Sequence, residues 1–254
     1  MREVTYEQPL NERIRTFLRL EFLFHQMDHT ISGHATWDSR ATIDNLIEIL
    51  NVFSRGDVKT ELIKELERLA ATLSRLEANP DVDREKLEEL LARIDDLVDR
   101  LYRLQGQIGQ ELKENEFLNA IKQRSSIPGG TCDFDLPAYH HWLQKPATER
   151  DAALRQWLAP FHDFRAAIDL TLGLVRESGH STREVAESGF YQQSLDTAIP
   201  YQLIRVTLPA EVQCFAEISG GKHRFTVRMM EMRNYGRPAQ STSTIPFVLE
   251  CCAF

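Results

Sequence analysis

The stretch GGKHRFTVR gathers basic residues whose spacing suits the binding of an anion. On a β-strand, alternation would turn Phe225 and Val227 toward a core. It would turn Arg224 and Arg228 outward, roughly 13 Å apart at about 3.3 Å per residue. Lys222 would join the two arginines at the preceding turn. Because a guanidinium grips a carboxylate with two hydrogen bonds, this face predicts an anionic, carboxylate-bearing ligand.

The arginine pair also has a plainer interpretation, since charges on an exposed strand face discourage aggregation. However, Arg233 and Arg237 follow closely, and only Glu217 and Glu231 balance this segment. The whole chain has 30 Lys and Arg against 38 Asp and Glu, which gives a formal charge of −8. A positive patch on an acidic protein favours a local anionic ligand, whereas the overall negative field disfavours nonspecific binding to DNA or anionic membranes.

Basic residues elsewhere in the chain could extend such a site. Arg15 and Arg19 are four residues apart, so they share a face of the predicted first helix. Arg55 lies at the end of the second predicted helix, where it could contact a ligand or compensate the helix dipole. His140 adjoins His141 on a short predicted helix, and their side chains diverge by about 100°. One of these two histidines can therefore pack while the other faces solvent.

No motif for catalysis or for metal binding is complete. His25 and His29 have the i, i+4 spacing of a zinc pair, but HQMDH lacks the glutamate of HExxH. The IPGG stretch of residues 127–130 lacks the GK[ST] ending of a phosphate loop, and Cys132 has no evident base nearby in sequence. We therefore expect no enzyme activity, no metal and no cofactor. A metal-dependent enzyme built on the two histidines is kept as an alternative, which elemental analysis would test.

The composition predicts a cytosolic protein in a reducing compartment. The chain has 254 residues, of which 42% are hydrophobic and 27% charged. Its N-terminal segment lacks the apolar core of a signal peptide, and it has no apolar run of about 18 residues that could span a membrane. The chain has four cysteines, Cys132, Cys214, Cys251 and Cys252, and none of them forms a CxxC pair.

The periodicity of the chain predicts an α+β fold. Helical spacing dominates residues 9–183, beginning with a stripe that includes Ile14, Phe17 and Phe22. Short β-prone runs separated by turn residues follow over residues 184–254, and the pair Gly220–Gly221 predicts a tight hairpin. We therefore predict a helical domain and a smaller antiparallel β domain, which an N-terminal strand at residues 1–8 is expected to join.

A long antiparallel helical hairpin is predicted over residues 58–105. Leucines there step by three and four, and Asn79 and Pro80 interrupt the pattern. Asp57 is expected to cap the first arm after Gly56 ends the preceding helix. The stripe could serve the hairpin alone or also pack against a partner chain, and its widening favours the partner. The stripe and its widening comprise Leu62, Leu66, Leu69, Leu73, Leu76, Leu87, Leu90, Leu91, Ile94, Leu97, Val98, Leu101 and Leu104.

Four stretches resemble the ZapD family of bacterial cell-division proteins. They are EQPLNERIRTFLRLEFL, FSRGDVKTELIKELER, RSSIPGGTCDFDLPAYHHWL and GGKHRFTVRMM, and the similarity runs from end to end of the chain. The resemblance implies a non-enzymatic protein that binds the C-terminal tail of the tubulin-like GTPase FtsZ and crosslinks FtsZ filaments into bundles. It also implies a homodimer joined through its helical part, located in the cytoplasm at the mid-cell division ring.

The basic pocket of that family, carried over position by position, implies which residues contact the FtsZ tail. They are Arg19, Arg55, His140, Arg224 and Arg228, with Arg15 and Lys222 as neighbouring candidates. A nucleic-acid-binding protein that uses the same patch is the alternative, and it would bind oligonucleotides with a steep dependence on salt. The acidic total charge and the absence of an aromatic ladder argue against that alternative, so neither nucleic acid nor a membrane is expected as a partner.

Overall fold

The computed structural model describes residues 2–232 and 236–254 and has the predicted α+β fold. Arg233 lies outside the described residues. The chain divides into two compact units, one made of Leu18–Leu170 and the other of Met1–Phe17 with Thr171–Phe254. The first unit is helical, and the second contains the antiparallel sheets together with the helical segments that flank the division.

Nine helices are assigned within the described residues. They are α1 (Glu12–Ile31), α2 (Thr36–Arg55), α3 (Val58–Ser74), α4 (Arg84–Arg103), α5 (Gln110–Glu114), α6 (Glu116–Ser125), α7 (Pro137–Leu143), α8 (Ala147–Leu158) and α9 (His162–Glu177). Short 3-10 turns follow α3 and α8. None of the helices in the described part of the chain is long and apolar enough to cross a membrane.

The predicted helical hairpin is confirmed in α3 and α4. At its open end, the Lys59 Nζ donates a hydrogen bond to the Leu104 carbonyl at 2.6 Å. The Asp57 side chain accepts from the Thr60 backbone N–H, so the predicted cap is also present. Buried members of the stripe line the seam, and they are Leu62, Leu66, Leu69, Leu73, Leu87, Ile94, Leu97 and Leu101.

Two predicted core positions are wrong. Leu76 is 40% exposed, because α3 ends at Ser74 and the tighter 3-10 turn that follows changes the direction of its side chain. Phe22 on α1 is 60% exposed. The buried face of this helix is instead completed by Leu20, Leu23, Phe24 and Met27, which leaves Phe22 on the opposite side.

Two antiparallel sheets form the β part. The strands are β1 (Glu3–Pro9), β2 (His180–Ala186), β3 (Phe190–Ser194), β4 (Tyr201–Pro209), β5 (Phe215–Gly220), β6 (Arg224–Glu231), β7 (Ala239–Gln240) and β8 (Ile245–Ala253). One sheet has the order β1-β4-β8-β2 and the other β3-β6-β5, with β7 paired to β6. Their inner faces share a core that includes Ile204, Val206, Phe225, Val227 and Leu249.

The ends of the β part differ in detail from the predicted boundaries. β1 pairs with β4 along its whole length, from Glu3 opposite Pro209 to Pro9 opposite Leu203. β2 begins at His180, so the boundary predicted between residues 183 and 184 falls inside this strand. β2 is a sheet edge with mostly exposed residues, and its polar sequence HSTREVA therefore shows little apolar alternation.

Candidate functional site

The outer face of β6 carries the predicted arginine pair. Phe225, Val227 and Met229 are fully buried, whereas Arg224 and Arg228 are exposed, so the predicted alternation is confirmed. β5 and β6 form the predicted hairpin, in which the Gly221 N–H donates to the Arg224 carbonyl at 3.1 Å.

Neighbouring strands place few charges beside these arginines. Arg228 lies between Phe190 on β3 and Glu217 on β5. Its Nη2 is 4.0 Å from the Glu217 Oε2, and both side chains are about half exposed, so this pair is weak. Arg224 lies opposite Ser194 and makes no ion pair within residues 2–232 and 236–254. The exposed Lys222 at the hairpin tip also has none within these ranges. Positive charge is therefore least compensated at the hairpin end of this face.

Arg15 is the fourth predicted residue in the same unit. It lies near the beginning of α1, and its Nε is 3.5 Å from the Oε1 of Glu12, one helical turn earlier. Because Glu12 is 82% exposed, water screens this pair and makes it weak.

Arg19, Arg55 and His140 belong to the helical unit and lie on three different helices. Arg19 is exposed on α1, and Arg55 is the exposed last residue of α2. Neither arginine has an ion-pair partner in the described part of the chain. Arg55 lines a depression of about 520 Å³ with Lys59, whereas His140 lines a different one. Arg55 and His140 therefore line two different depressions of their unit.

His140 lies in a groove of about 680 Å³ that the sequence did not predict. We call it the aromatic groove and define it by Trp37, Arg40, Thr131, Phe134, His140 and Leu143. The only sequence signal for it is an aromatic residue between two aspartates in the loop GTCDFDLP. Such a residue in a polar, turn-rich loop has little core to bury it.

The polar groups of the aromatic groove are held in place. The His140 Nδ1 lies 2.9 Å from the Asp133 Oδ1, so this imidazole already has a carboxylate partner. The Arg40 Nη1 donates to the Thr131 carbonyl at 3.1 Å. The Arg40 guanidinium lies 4.8 Å from the ring centroid of Tyr139 and 5.4 Å from that of Trp37. Both distances suit cation–π attraction.

A small group of potential metal ligands lies on α1 and α9. Ligand atoms of Glu21, His25 and Asp169 all lie within 4.8 Å of one another. The Arg165 Nε is 3.6 Å from the Asp169 Oδ2, so a guanidinium already occupies part of this site. Burial and the Glu21 carboxylate raise the pKa of Asp169, which Arg165 opposes. His29, the other histidine of the predicted pair, is not a member of this group.

The terminal cysteines are poor nucleophiles. Burial raises the pKa of Cys251 to about 11 and that of Cys252 to about 12. Because the thiolate is the reactive form, a raised pKa keeps both side chains mainly as the less reactive thiol near neutral pH. All four cysteines are free. The described surface offers exposed cations that can bind anions and exposed aromatic side chains that can bind apolar groups.

Comparison with known proteins shows the family to which this chain belongs. The family model ZapD, described as a cell division protein, matches residues 18–228. The chain is 44% identical to the cell division protein ZapD of Methylococcus capsulatus, and the alignment covers 98% of each chain. It is 41% identical to ZapD of Cupriavidus pinatubonensis and 40% identical to ZapD of Cupriavidus necator, over 99% of this chain and 100% of each relative. The chain therefore belongs to the ZapD family of cell division proteins.

Proposed function

We propose that this protein is a non-enzymatic cell-division factor that binds the C-terminal tail of FtsZ and crosslinks FtsZ filaments into bundles. It would act in the cytoplasm, at the mid-cell division ring, without nucleic acid, membrane or cofactor as a partner. Family membership supports a role in division. The resemblance of the basic segments to those of the family supports FtsZ as the partner.

The outward-facing pair Arg224 and Arg228 on β6 carries this proposal. Both side chains are exposed, and the strand beneath them is anchored by fully buried side chains, so the backbone positions of the pair are fixed. Two forked donors on one fixed strand suit a peptide with carboxylates along its length. Lys222 at the hairpin tip extends the positive face.

The pairing of charges shows which of the candidate arginines are available to an anion. Many exposed arginines bind a carboxylate close by, as Arg103 binds Asp99 and Arg155 binds Asp151. In contrast, Arg19, Arg55 and Arg224 have no such partner within the described ranges. Charges left without a partner are available to an incoming anion and gain most from binding it. We propose that these arginines, with Arg228, His140, Arg15 and Lys222, contact the tail.

Crosslinking requires two tail-binding sites in one particle, and a homodimer would supply them. We propose that the helical part forms this dimer. Individually weak contacts would then hold two filaments together, because the second contact forms at a high effective concentration. The half-buried Leu90, Leu91 and Val98 on α4 are candidates for the dimer contact. A mass measurement in solution tests this step, and a monomer at micromolar concentration would contradict it.

A charge reversal on β6 tests the proposed tail site. We expect the double variant Arg224→Glu, Arg228→Glu to fold normally and to lose the sedimentation of FtsZ bundles. Arg183→Glu is a matched control, because Arg183 is an exposed arginine on a strand of the same unit and makes no ion pair within the described residues. It should bundle like the wild type.

Two outcomes would contradict the proposal. Unchanged bundling by the double variant would remove Arg224 and Arg228 from the site. Tight binding of an oligonucleotide with a steep salt slope, combined with no effect on FtsZ, would favour the nucleic-acid alternative. Binding of the tail should itself weaken as salt is added, because all of these charges lie near solvent.

A further inference from the structure

The outer face of the β3-β6-β5 sheet carries apolar side chains at the end away from the hairpin tip. Phe190 on β3 lies directly opposite Arg228 on β6 and is 42% exposed. Met230 follows Arg228 on the same face of β6 and is paired with Phe215 on β5. Met230 and Phe215 are both partly buried. We call Phe190, Phe215 and Met230 the apolar strip.

The turn before Phe190 fixes the position of this residue. Gly189 has a φ of +69°, and a Cβ there would overlap the Ser241 carbonyl oxygen, so the turn requires glycine. The Gly189 N–H donates to the Ser243 carbonyl at 2.9 Å, and the Gly189 carbonyl accepts from the Met229 N–H at 2.8 Å. Because this backbone is already held in place, little ordering entropy opposes the binding of a ligand at Phe190.

The charges on this face are graded along β6. Arg224 and Lys222 at the hairpin end have no ion pair within residues 2–232 and 236–254, whereas the Arg228 Nη2 lies 4.0 Å from the Glu217 carboxylate. A carboxylate is therefore drawn to the hairpin end, because Glu217 repels it near Arg228. The row between the two arginines is uncharged and consists of Gln192, Thr226 and Ser219.

We propose that this face binds its peptide in one register, with a carboxylate at Arg224 and Lys222 and an apolar side chain on the apolar strip. This inference rests on the proposed function, since the peptide that it assigns is the C-terminal tail of FtsZ. Arg224 is separated from Arg228 by roughly 13 Å and from Met230 by roughly 20 Å at about 3.3 Å per residue. An extended peptide would therefore present its acidic and apolar residues about four to six positions apart, on the same side of its backbone.

The apolar strip would give the site a selectivity that charges alone do not supply. Exposed arginines attract many polyanions, and water and salt weaken this attraction. An aromatic ring beside the arginines adds the burial of an apolar side chain, which salt does not screen. A peptide that carries both groups at this spacing would therefore bind more tightly than a peptide that is acidic only.

A titration with the full-length protein tests the apolar strip. A fluorescently labelled peptide with the sequence of the FtsZ C-terminal tail is bound, and its anisotropy is followed. We expect Phe190→Ala to raise the Kd by about fivefold or more, the scale for loss of an interface aromatic residue. The salt dependence of the Kd should stay that of the wild type, because no charge is removed. Val185→Ala is the matched control, since Val185 is 44% exposed on β2 of the other sheet, and it should leave the Kd unchanged.

A second variant should change the affinity in the opposite direction. Glu217→Gln removes the carboxylate that pairs with Arg228. Arg228 is then free to attract the peptide, so we expect the Kd to fall by up to about fivefold, the upper range for an exposed ion pair. A gain in affinity cannot arise from unfolding, so it separates the effect of charge from a structural effect. A Kd that is unchanged or raised would contradict the grading of charge along β6.

Double-mutant cycles with the peptide test the register. Each apolar residue and each acidic residue of the peptide is replaced in turn by alanine. One apolar replacement should weaken binding to the wild type but not to Phe190→Ala, and one acidic replacement should do the same with Arg224→Ala. The two coupled peptide positions should lie about four to six residues apart. Coupled positions that are adjacent in the peptide would refute the register.

The remaining failures are distinguishable. If the wild type binds the peptide and Arg224→Glu, Arg228→Glu weakens it, but Phe190→Ala does not, the apolar strip is refuted and the proposed function stands. If the wild type does not bind the peptide, both are refuted. If Phe190→Ala weakens binding and alters the salt dependence as Arg228→Ala does, Phe190 acts only by supporting the arginine, and the apolar strip is refuted.

Discussion

Replacement of the buried Arg150 should destabilise the helical unit strongly. This residue of α8 is only 5% exposed, and its guanidinium makes four hydrogen bonds. Its Nε donates to the Ser39 hydroxyl at 3.0 Å. Its terminal nitrogens donate to the carbonyls of His34 at 2.7 Å, Leu143 at 3.2 Å and Lys145 at 2.6 Å. A single side chain therefore satisfies acceptors from two separate parts of the chain, residues 34–39 and 143–145.

The variant Arg150→Met retains the apolar stem and removes all four hydrogen bonds. At roughly 1 kcal/mol net for each bond, the loss sums to about 4 kcal/mol. Relief from keeping a charge buried offsets part of this loss. We therefore expect the free energy of unfolding to fall by about 3 kcal/mol. The free energy of unfolding of Arg150→Lys should lie between those of Arg150→Met and the wild type, because one ammonium group cannot reach all the acceptors that the guanidinium reaches.

Urea unfolding followed by tryptophan fluorescence measures this effect, since all three tryptophans lie within Leu18–Leu170. The midpoint should fall while the slope of the transition stays constant. Arg155→Met is the matched control, because Arg155 is on the same helix but is exposed and paired only with Asp151 at 3.0 Å. Its midpoint should not move. Equal midpoints for the Arg150 and Arg155 variants would refute the reasoning.

Two further substitutions test the β part. Burial alone would raise the pKa of Glu7, but hydrogen bonds and charges from Arg176 and Arg205 outweigh it and lower the pKa below the ordinary 4.5. The resulting stability is complete above the unfolded pKa and is lost as the pH falls through the folded one. Glu7→Gln should therefore flatten the decline of Tm below about pH 4.5, and an unchanged acid profile would contradict this. Phe225→Ala should cost about 3–5 kcal/mol in thermal or urea unfolding, because it empties a fully buried position, and a cost under about 1 kcal/mol would contradict the packing of β6.

The spacing of apolar residues and the residue types at turns and helix ends predicted the parts of the structure that depend on neighbours in sequence. The alternation of side chains along a strand was enough to predict that Phe225 is buried and Arg224 exposed. The spacing of leucines by three and four residues located the two helices of the hairpin. The exposure of Phe22 could not be predicted in this way. It depends on how many other apolar residues the helix presents to the core, and α1 has an excess of them.

The remaining differences come from partners distant in sequence. The burial of Arg150 depends on acceptors as far away as His34, 116 residues earlier, and no local pattern marks such a position. Trp37 and Phe134 are likewise far apart in the chain, and only the folded unit brings them to one groove. The candidate binding residues were identified from charge and resemblance, whereas the aromatic groove became visible only from the three-dimensional arrangement.

The pairing of the first strand with β4 constrains the order in which the protein can fold during synthesis. Thr5 and Thr207 share a hydrogen bond across 202 positions of sequence. On the ribosome, β1 emerges first but must wait for β4, and the whole of Leu18–Leu170 is translated in between. Because domains generally fold as units during synthesis, the helical unit can form first. Its compact state then shortens the effective loop that must close before β1 can pair with β4, which lowers the entropic cost of that pairing.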